Sequence, residues 1–142
     1  MVSSFRALNT LISVRKGSGL VLEWQQGPGV IVAGGDSRSI RLWDAHRECA
    51  LSVSVYRSGF DEPVFTSLQE ISTQSESPLT SLATDPENNM MFIAGFGDGN
   101  IKLFDRRLEE GDSVVRVWRE HSSWVQGVRW QKGASKDLLS AR

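Results

Sequence analysis

Residues 90–107 read MMFIAGFGDGNIKLFDRR, and the rest of the chain is arranged around them. The run Met90–Ala94 is apolar and meets a tight turn at Gly97-Asp98-Gly99. Apolar residues return at Ile101, Leu103 and Phe104, and Asp105 closes the stretch. An Asp-Gly pair between two strand-like runs predicts a β-hairpin, because glycine tolerates the positive φ such turns need. Residues 31–44, IVAGGDSRSIRLWD, lie over this stretch without a gap. Ala33-Gly34 falls on Ala94-Gly95, Ile40 on Ile101, Leu42 on Leu103, and Trp43-Asp44 on Phe104-Asp105. The hairpin occurs twice, so the chain is built from repeats.

A hairpin that ends in Trp-Asp after a Gly-Asp turn resembles the WD repeat, whose four strands make one blade of a β-propeller. That repeat runs roughly 40–45 residues, yet Asp44 and Asp105 stand 61 positions apart. The composition places an insertion at residues 57–77, RSGFDEPVFTSLQEISTQSES. This segment is rich in Ser, Thr, Gln and Glu and lacks sustained period-2 alternation, so it reads as a disordered surface loop.

On either side of it the chain divides into a blade over residues 19–56, a blade over 78–119 and a partial blade over 120–142. In the first, Leu20–Trp24 is the innermost strand, Val30–Ala33 and Ser39–Trp43 follow, and Cys49–Tyr56 alternates as the outer edge strand. In the second, the strands are Leu79–Ala83, Met90–Ala94, Asn100–Phe104 and Ser113–Arg119. The last has two possible inward faces, Val115 with Val117, or Val114 with Arg116 and Trp118. The third opens with His121-Ser122-Ser123-Trp124-Val125, continues through Val128 and Trp130, and begins a second strand from Asp137 to Ala141. The fold class is all-β, an incomplete propeller of about two and a half four-stranded blades. Such a number of blades does not close a ring, so the chain reads as a piece of a larger protein.

The totals fit this picture. The 142 residues are 39% hydrophobic and 23% charged, which suits a globular class with a real core. A formal charge of −1 leaves no electrostatic footprint for nucleic acid or an anionic membrane. A single cysteine, Cys49, excludes an intramolecular disulfide or a cysteine metal cluster and suits a reducing compartment. Neither a leader segment nor an apolar run of membrane-spanning length stands out.

The order and spacing of several motifs are more specific than the repeat alone. Phe5-Arg6-Ala7-Leu8, the turn Arg15–Gly19, the strand Val21–Gln25 and the run Gly35–Asp44 resemble the C-terminal propeller of the raptor family. So do Ala94–Arg107, closing on aromatic-Asp-Arg-Arg, and Trp118-Arg119-Glu120-His121 with Trp124-Val125 after it. The resemblance implies a non-enzymatic scaffold of target-of-rapamycin complex one, in nutrient-responsive growth control. It implies protein partners among the subunits or regulators of that kinase complex, and no nucleic acid. It also implies a cytoplasmic place, peripheral at the lysosome or vacuole surface. The rival reading is a WD-repeat substrate receptor of a ubiquitin ligase, since Asp105 and Arg107 resemble the box by which some WD proteins dock on a ligase adaptor.

Catalytic candidates are few. His46 and His121 have no second His or Cys at ligand spacing, and no nucleophile–base pairing is legible. Gly95–Gly99 has the look of a phosphate loop, but a strand rather than a helix follows it. Neither a catalytic, a metal-binding nor a cofactor-binding residue is expected, and no cofactor. Trp43, Asp44, Asp98, Gly99, Phe104, Asp105 and His121 are expected to be structural residues of the repeat. By resemblance, His121 is a buried hydrogen-bond partner for a hairpin Asp and Trp. Trp24, Trp118, Trp124 and Trp130 are expected to pack between blades. The partner-binding candidates are Phe60, Val64 and Phe65 in the insertion, which is expected to leave an outer strand and return to an inner one, together with Arg106 and Arg107.

Overall fold

The structure, a computed structural model, describes residues 19–46, 49–50, 52–55, 64–68, 70–109, 111–131 and 137–142. Every regular element among them is a β-strand, and every strand pairing is antiparallel. The first sheet runs in order through β1 (Leu20–Gln25), β2 (Val30–Gly35), β3 (Ser39–Asp44) and β4 (Cys49–Ala50). Strands β5 (Ser52–Val55) and β6 (Val64–Leu68) pair with each other as a two-stranded sheet. The short β7 (Glu70–Ser72) comes back to β3. The next sheet orders β8 (Leu79–Thr84), β9 (Met91–Phe96), β10 (Ile101–Asp105) and β11 (Val114–Trp118) as a four-stranded meander. Finally β12 (Gly127–Trp130) pairs with β13 (Leu138–Ala141).

The sheets stack face to face, with β1, β8 and β12 as neighbouring first strands. Alternation along the strands explains how one sheet serves two interfaces, since successive side chains leave a strand on opposite faces. Phe92, Ala94, Phe96 and Phe104 pack toward Val30, Val32, Ile40, Leu42 and Ile71 of the first sheet. Ile93, Ile101 and Leu103 pack the other way, toward Val125 and Val128. Both faces of β9 and β10 are therefore covered, and every residue of β10 is buried. The unbroken apolar run MFIAGF meets this requirement. Each fully buried phenylalanine contributes about 1.5–3 kcal/mol over an exposed one.

The first sheet differs on one face. Val21 packs against the core, whereas Leu20, Leu22 and Trp24 point outward, at 57%, 55% and 49% exposure. On β11 neither expected register holds throughout, because a bulge opposite Leu103–Phe104 switches the faces: Val114 lies opposite Phe104 and packs on the first cluster, whereas Arg116 and Trp118 lie opposite Leu103 and Ile101, Trp118 packs on the second cluster, and the exposed Arg116 guanidinium lies over the Trp118 ring. Val115 and Val117 are exposed.

The outer strand of the first sheet departs from the sequence expectation. It is assembled from two pieces, because β3 pairs with β4 at Trp43–Ala50 and Asp44–Cys49, and with β7 at Ser39–Ser72, Ile40–Ile71 and Arg41–Glu70. One strand position, opposite Leu42, separates the two pieces. In sequence nineteen residues, 51–69, separate Ala50 from Glu70, where the register calls for one. Removing the eighteen surplus residues reduces the 61-residue spacing of Asp44 and Asp105 to 43, within the ordinary length of a WD repeat. The insertion thus lies earlier than 57–77, leaves and re-enters the same outer strand, and contains paired strands. Its hydrophobic re-entry point, Ile71, is buried in the core, a signal masked in the sequence by the polar residues around it.

Candidate interaction site

The repeat residues act first on how blades meet. Gly99 has φ +87°, and a Cβ there would stand 2.2 Å from the His121 carbonyl oxygen. Glycine is therefore required twice over, by the left-handed backbone and by the close approach. The aligned pair Gly34 and Gly95 does a related job. A Cβ on Gly34 would lie 3.1 Å from Leu79 Cδ1, and one on Gly95 would lie 2.6 Å from Val125 Cγ1. Each sheet thus presents a bare backbone to the first strand of the next. Polar groups fix the same seam: the Thr80 hydroxyl donates to the Val125 or Gly95 carbonyl oxygens, at 2.5 and 3.0 Å, and Ser81 Oγ accepts from Val128 N at 3.1 Å. Asp98 is exposed and serves the turn itself, accepting from Asn100 N at 3.0 Å and Asn100 Nδ2 at 2.7 Å.

At the far end of the hairpin, Trp43 and Phe104 hold equivalent positions across from Ile31 and Phe92. Trp43 is half-buried, while Phe104 is fully buried and stacks on Phe92 with ring centroids 5.0 Å apart. Asp44 accepts a hydrogen bond from His46 N at 2.9 Å. Asp105 does the same for Arg107 N at 3.0 Å and also takes both the Nε and Nη2 groups of the Arg107 guanidinium. That side-chain hydrogen bond holds the Asp105 carboxyl below the usual carboxylate range and raises Arg107 in turn. Arg107 is largely exposed, but its charge is engaged inside its own turn. Arg106 turns the other way and bridges two blades, donating to Asn89 O at 3.1 Å and Gln25 Oε1 at 3.3 Å. Partial burial lowers its pKa.

His121 is half-buried, with its Nε2 2.8 Å from Ser140 Oγ on β13. The expectation of four interblade tryptophans needs correction. Trp118 and Trp130 do pack against the second core cluster, but Trp24 and Trp124 are 49% and 44% exposed. Trp24 lies on the outward face of β1 with Leu20 and Leu22. Trp124 precedes β12 rather than lying in it and leans over Gly97.

Lys102 was not singled out by the sequence, where it is one polar residue in a strand. It is buried, and its ammonium donates to the Thr73 and Gln74 carbonyl oxygens at 2.9 and 2.6 Å while sitting over the Phe96 ring. Burial lowers its pKa, and Asp98 opposes that shift. The Thr73 hydroxyl in turn donates to Arg38 O at 3.1 Å. The crossing from one blade to the next is thereby clamped from both sides. No sequence pattern flags this residue, because the carbonyls it satisfies come from the crossing segment nearly thirty positions upstream.

A cavity of about 550 Å³ opens where β1, β8 and β12 end, lined by Glu23, Trp24, Ala83, Asp85, Arg129 and Trp130 among others. Burial raises the Glu23 pKa, and the charge of Arg129 and a backbone hydrogen bond from Thr84 pull it back. Among the described residues no cluster of three or more His, Cys, Asp or Glu converges in a manner that would hold a metal ion. No helix of the described residues is long and apolar enough to cross a membrane.

Of the partner-binding candidates in the insertion, Phe60 lies outside the described residues. Val64 and Phe65 lie on β6, where their backbones pair with Val55 and Ser54. Asp105, Arg106 and Arg107 share one turn, remote in sequence from β6 and tied to their own blade and its neighbour.

Comparison with known proteins places this geometry. The profile described as WD domain, G-beta repeat, matches residues 65–105. That span takes in β7 of the first sheet and β8, β9 and β10 of the second, so the sequence repeat straddles two blades. The chain is 33% identical over 144 aligned residues to the target of rapamycin complex 1 subunit KOG1 of Saccharomyces cerevisiae, covering 99% of this chain and 8% of that protein. It is 31% identical to the target of rapamycin complex 1 subunit mip1 of Schizosaccharomyces pombe, covering 99% of this chain and 9% of that one. The crystal structure of Chaetomium thermophilum Raptor superposes with a TM-score of 0.69 at 38% identity, over 87% of this chain and 10% of the other. The chain therefore spans about a tenth or less of these relatives' length. It is an all-β run of WD-repeat propeller blades, and its likeness to raptor extends along nearly all of it.

Proposed function

We propose that this raptor-like chain is a non-enzymatic protein-interaction module, a sector of the propeller of a scaffold subunit in a target-of-rapamycin complex. The observation that carries the reading is alignment over 99% of the chain with two yeast subunits of that complex. The geometry agrees with it. The conspicuous polar side chains of the repeat are spent on turns and seams: Asp98 and Asp105 on their own loops, Arg106 and Lys102 on the joint between blades. The same likeness supports a cytoplasmic protein that works peripherally at the lysosome or vacuole surface.

The test is purification of the full-length protein from cells under a tag on its own gene. The reading expects a target-of-rapamycin kinase in stoichiometric amount. Recovery of a ubiquitin-ligase adaptor in place of the kinase would overturn it in favour of a substrate receptor.

A further inference from the structure

The cavity of about 550 Å³ where β1, β8 and β12 end is left over once the turns and seams are accounted for. Its volume falls within the roughly 300–1,000 Å³ that small-molecule pockets occupy. Much of its polar lining is already engaged. Asp85 accepts from Glu87 N at 2.8 Å and from Asn88 N at 3.1 Å, which closes its own turn. Gln25 donates to Asn89 O and accepts from Arg106, both at 3.3 Å, so it belongs to the joint between blades. Two charged lining residues remain, Glu23 on β1 and Arg129 on β12. Arg129 acts on Glu23 through its charge, yet among the described residues neither forms a salt bridge. Arg129 is exposed, and its one hydrogen bond among those residues is a long 3.5 Å to the carbonyl of its neighbour Val128. Glu23 is half-buried and takes a hydrogen bond from the backbone of Thr84.

Opposite charges that share one cavity without meeting are complemented by a ligand that carries both charges itself. A ligand with a single charge pairs with one of the two residues and meets its own sign on the other, and each ion taken out of water needs its counter-charge. The indole rings of Trp24 and Trp130, with Ala83 and Pro86, supply the apolar part of the lining. Aromatic rings favour an aromatic group against them. We propose that this cavity binds a small zwitterion, a free α-amino acid with an aromatic side group. Its carboxylate pairs with Arg129, its ammonium with Glu23, and its side group packs on Trp24 and Trp130. Because Glu23 and Arg129 come from different sheets, the ligand also joins the first blade to the third. The proposal goes beyond the scaffold reading and does not depend on it.

The experiment titrates three small probes against the full-length protein and follows them by saturation-transfer difference NMR, which observes the ligand and tolerates a large protein. The probes are L-phenylalanine, phenylpropionate, which lacks the ammonium, and phenylethylamine, which lacks the carboxylate. The proposal expects saturable binding of phenylalanine and at least tenfold weaker binding of the other two. Arg129→Gln should bring phenylalanine down to the level of phenylethylamine, and Glu23→Gln should bring it down to the level of phenylpropionate. Absence of binding, as when another part of the full-length protein fills the cavity, overturns the proposal, and so does equal binding of all three probes. Tightest binding of phenylpropionate makes the cavity an anion site, and tightest binding of phenylethylamine makes it a cation site; either overturns the zwitterion. Unchanged phenylalanine binding in both variants overturns the location. Where one variant fails to fold, the other variant and the comparison of the three probes on the unaltered protein decide. Kinase co-purification is read separately, so either conclusion can fail without the other.

Discussion

Gly95→Ala adds one methyl group at the seam between the second and third blades. Its Cβ would stand 2.6 Å from Val125 Cγ1, 3.0 Å from Val125 Cβ and 3.3 Å from Val128 Cγ1. Val125 and Val128 are both fully buried, so neither can swing into solvent. Overpacking by one methyl in such a place costs about 1–3 kcal/mol. Val125→Ala, which removes two methyl groups from the same spot, costs about 2 kcal/mol through lost burial and the cavity left behind. Combined, the two changes offset each other, because the new methyl occupies space that the valine vacates. The double variant is therefore expected to fall short of the sum by at least about 1 kcal/mol. Gly127→Ala is the control, since its added Cβ meets nothing within 4 Å, and it should stay within about 0.5 kcal/mol. The quantity to measure is the opening free energy of amides in β9 and β12 by native-state hydrogen exchange in the full-length protein, which isolates this seam from the remainder of a large chain. Additive costs, or a neutral Gly95→Ala, would refute the packing of β12 against β9.

Further outcomes follow from the polar clamps and the open faces. Lys102→Met strands the carbonyls of Thr73 and Gln74 and should cost about 1–3 kcal/mol, with faster amide exchange over residues 70–75 as the local readout. Asp105→Asn should destabilise the turn by about 1 kcal/mol at neutral pH, a partly exposed pair being worth no more. The Asp105 carboxyl is held low in the fold by Arg107, so its stabilisation is present above the ordinary carboxylate pKa and lost as pH falls through the lowered one. Melts at pH 7 and in acid should show the gap between wild type and variant closing. The chain expressed by itself should associate through the outward face of Leu20, Leu22 and Trp24. Light scattering checks this, and Leu20→Ser with Leu22→Ser should reduce it.

The hairpins were legible because their information is local. Alternation, a glycine turn and a repeated closing dipeptide put β2, β3, β9 and β10 within a residue or two of where they lie. The outer strand was harder, because its second half, β7, reaches β3 only after residues 51–69 have intervened, and three residues with a single buried Ile71 carry no period. The tryptophans misled for a related reason. Strand periodicity says that Trp24 and Val21 point to opposite faces, but not which of those faces meets another sheet. Lys102 was invisible, since a lysine in a strand ordinarily faces water, and only the three-dimensional crossing at Thr73–Gln74 supplies its acceptors.

A cryo-electron-microscopy map of the full-length protein should show residues 31–44 and 91–105 as superposable hairpins in adjacent blades, with Ile71 beside Ile40 in the outer strand. Either hairpin on a helix, or Ile71 away from Ile40 with a different segment in its place, would contradict this arrangement of blades.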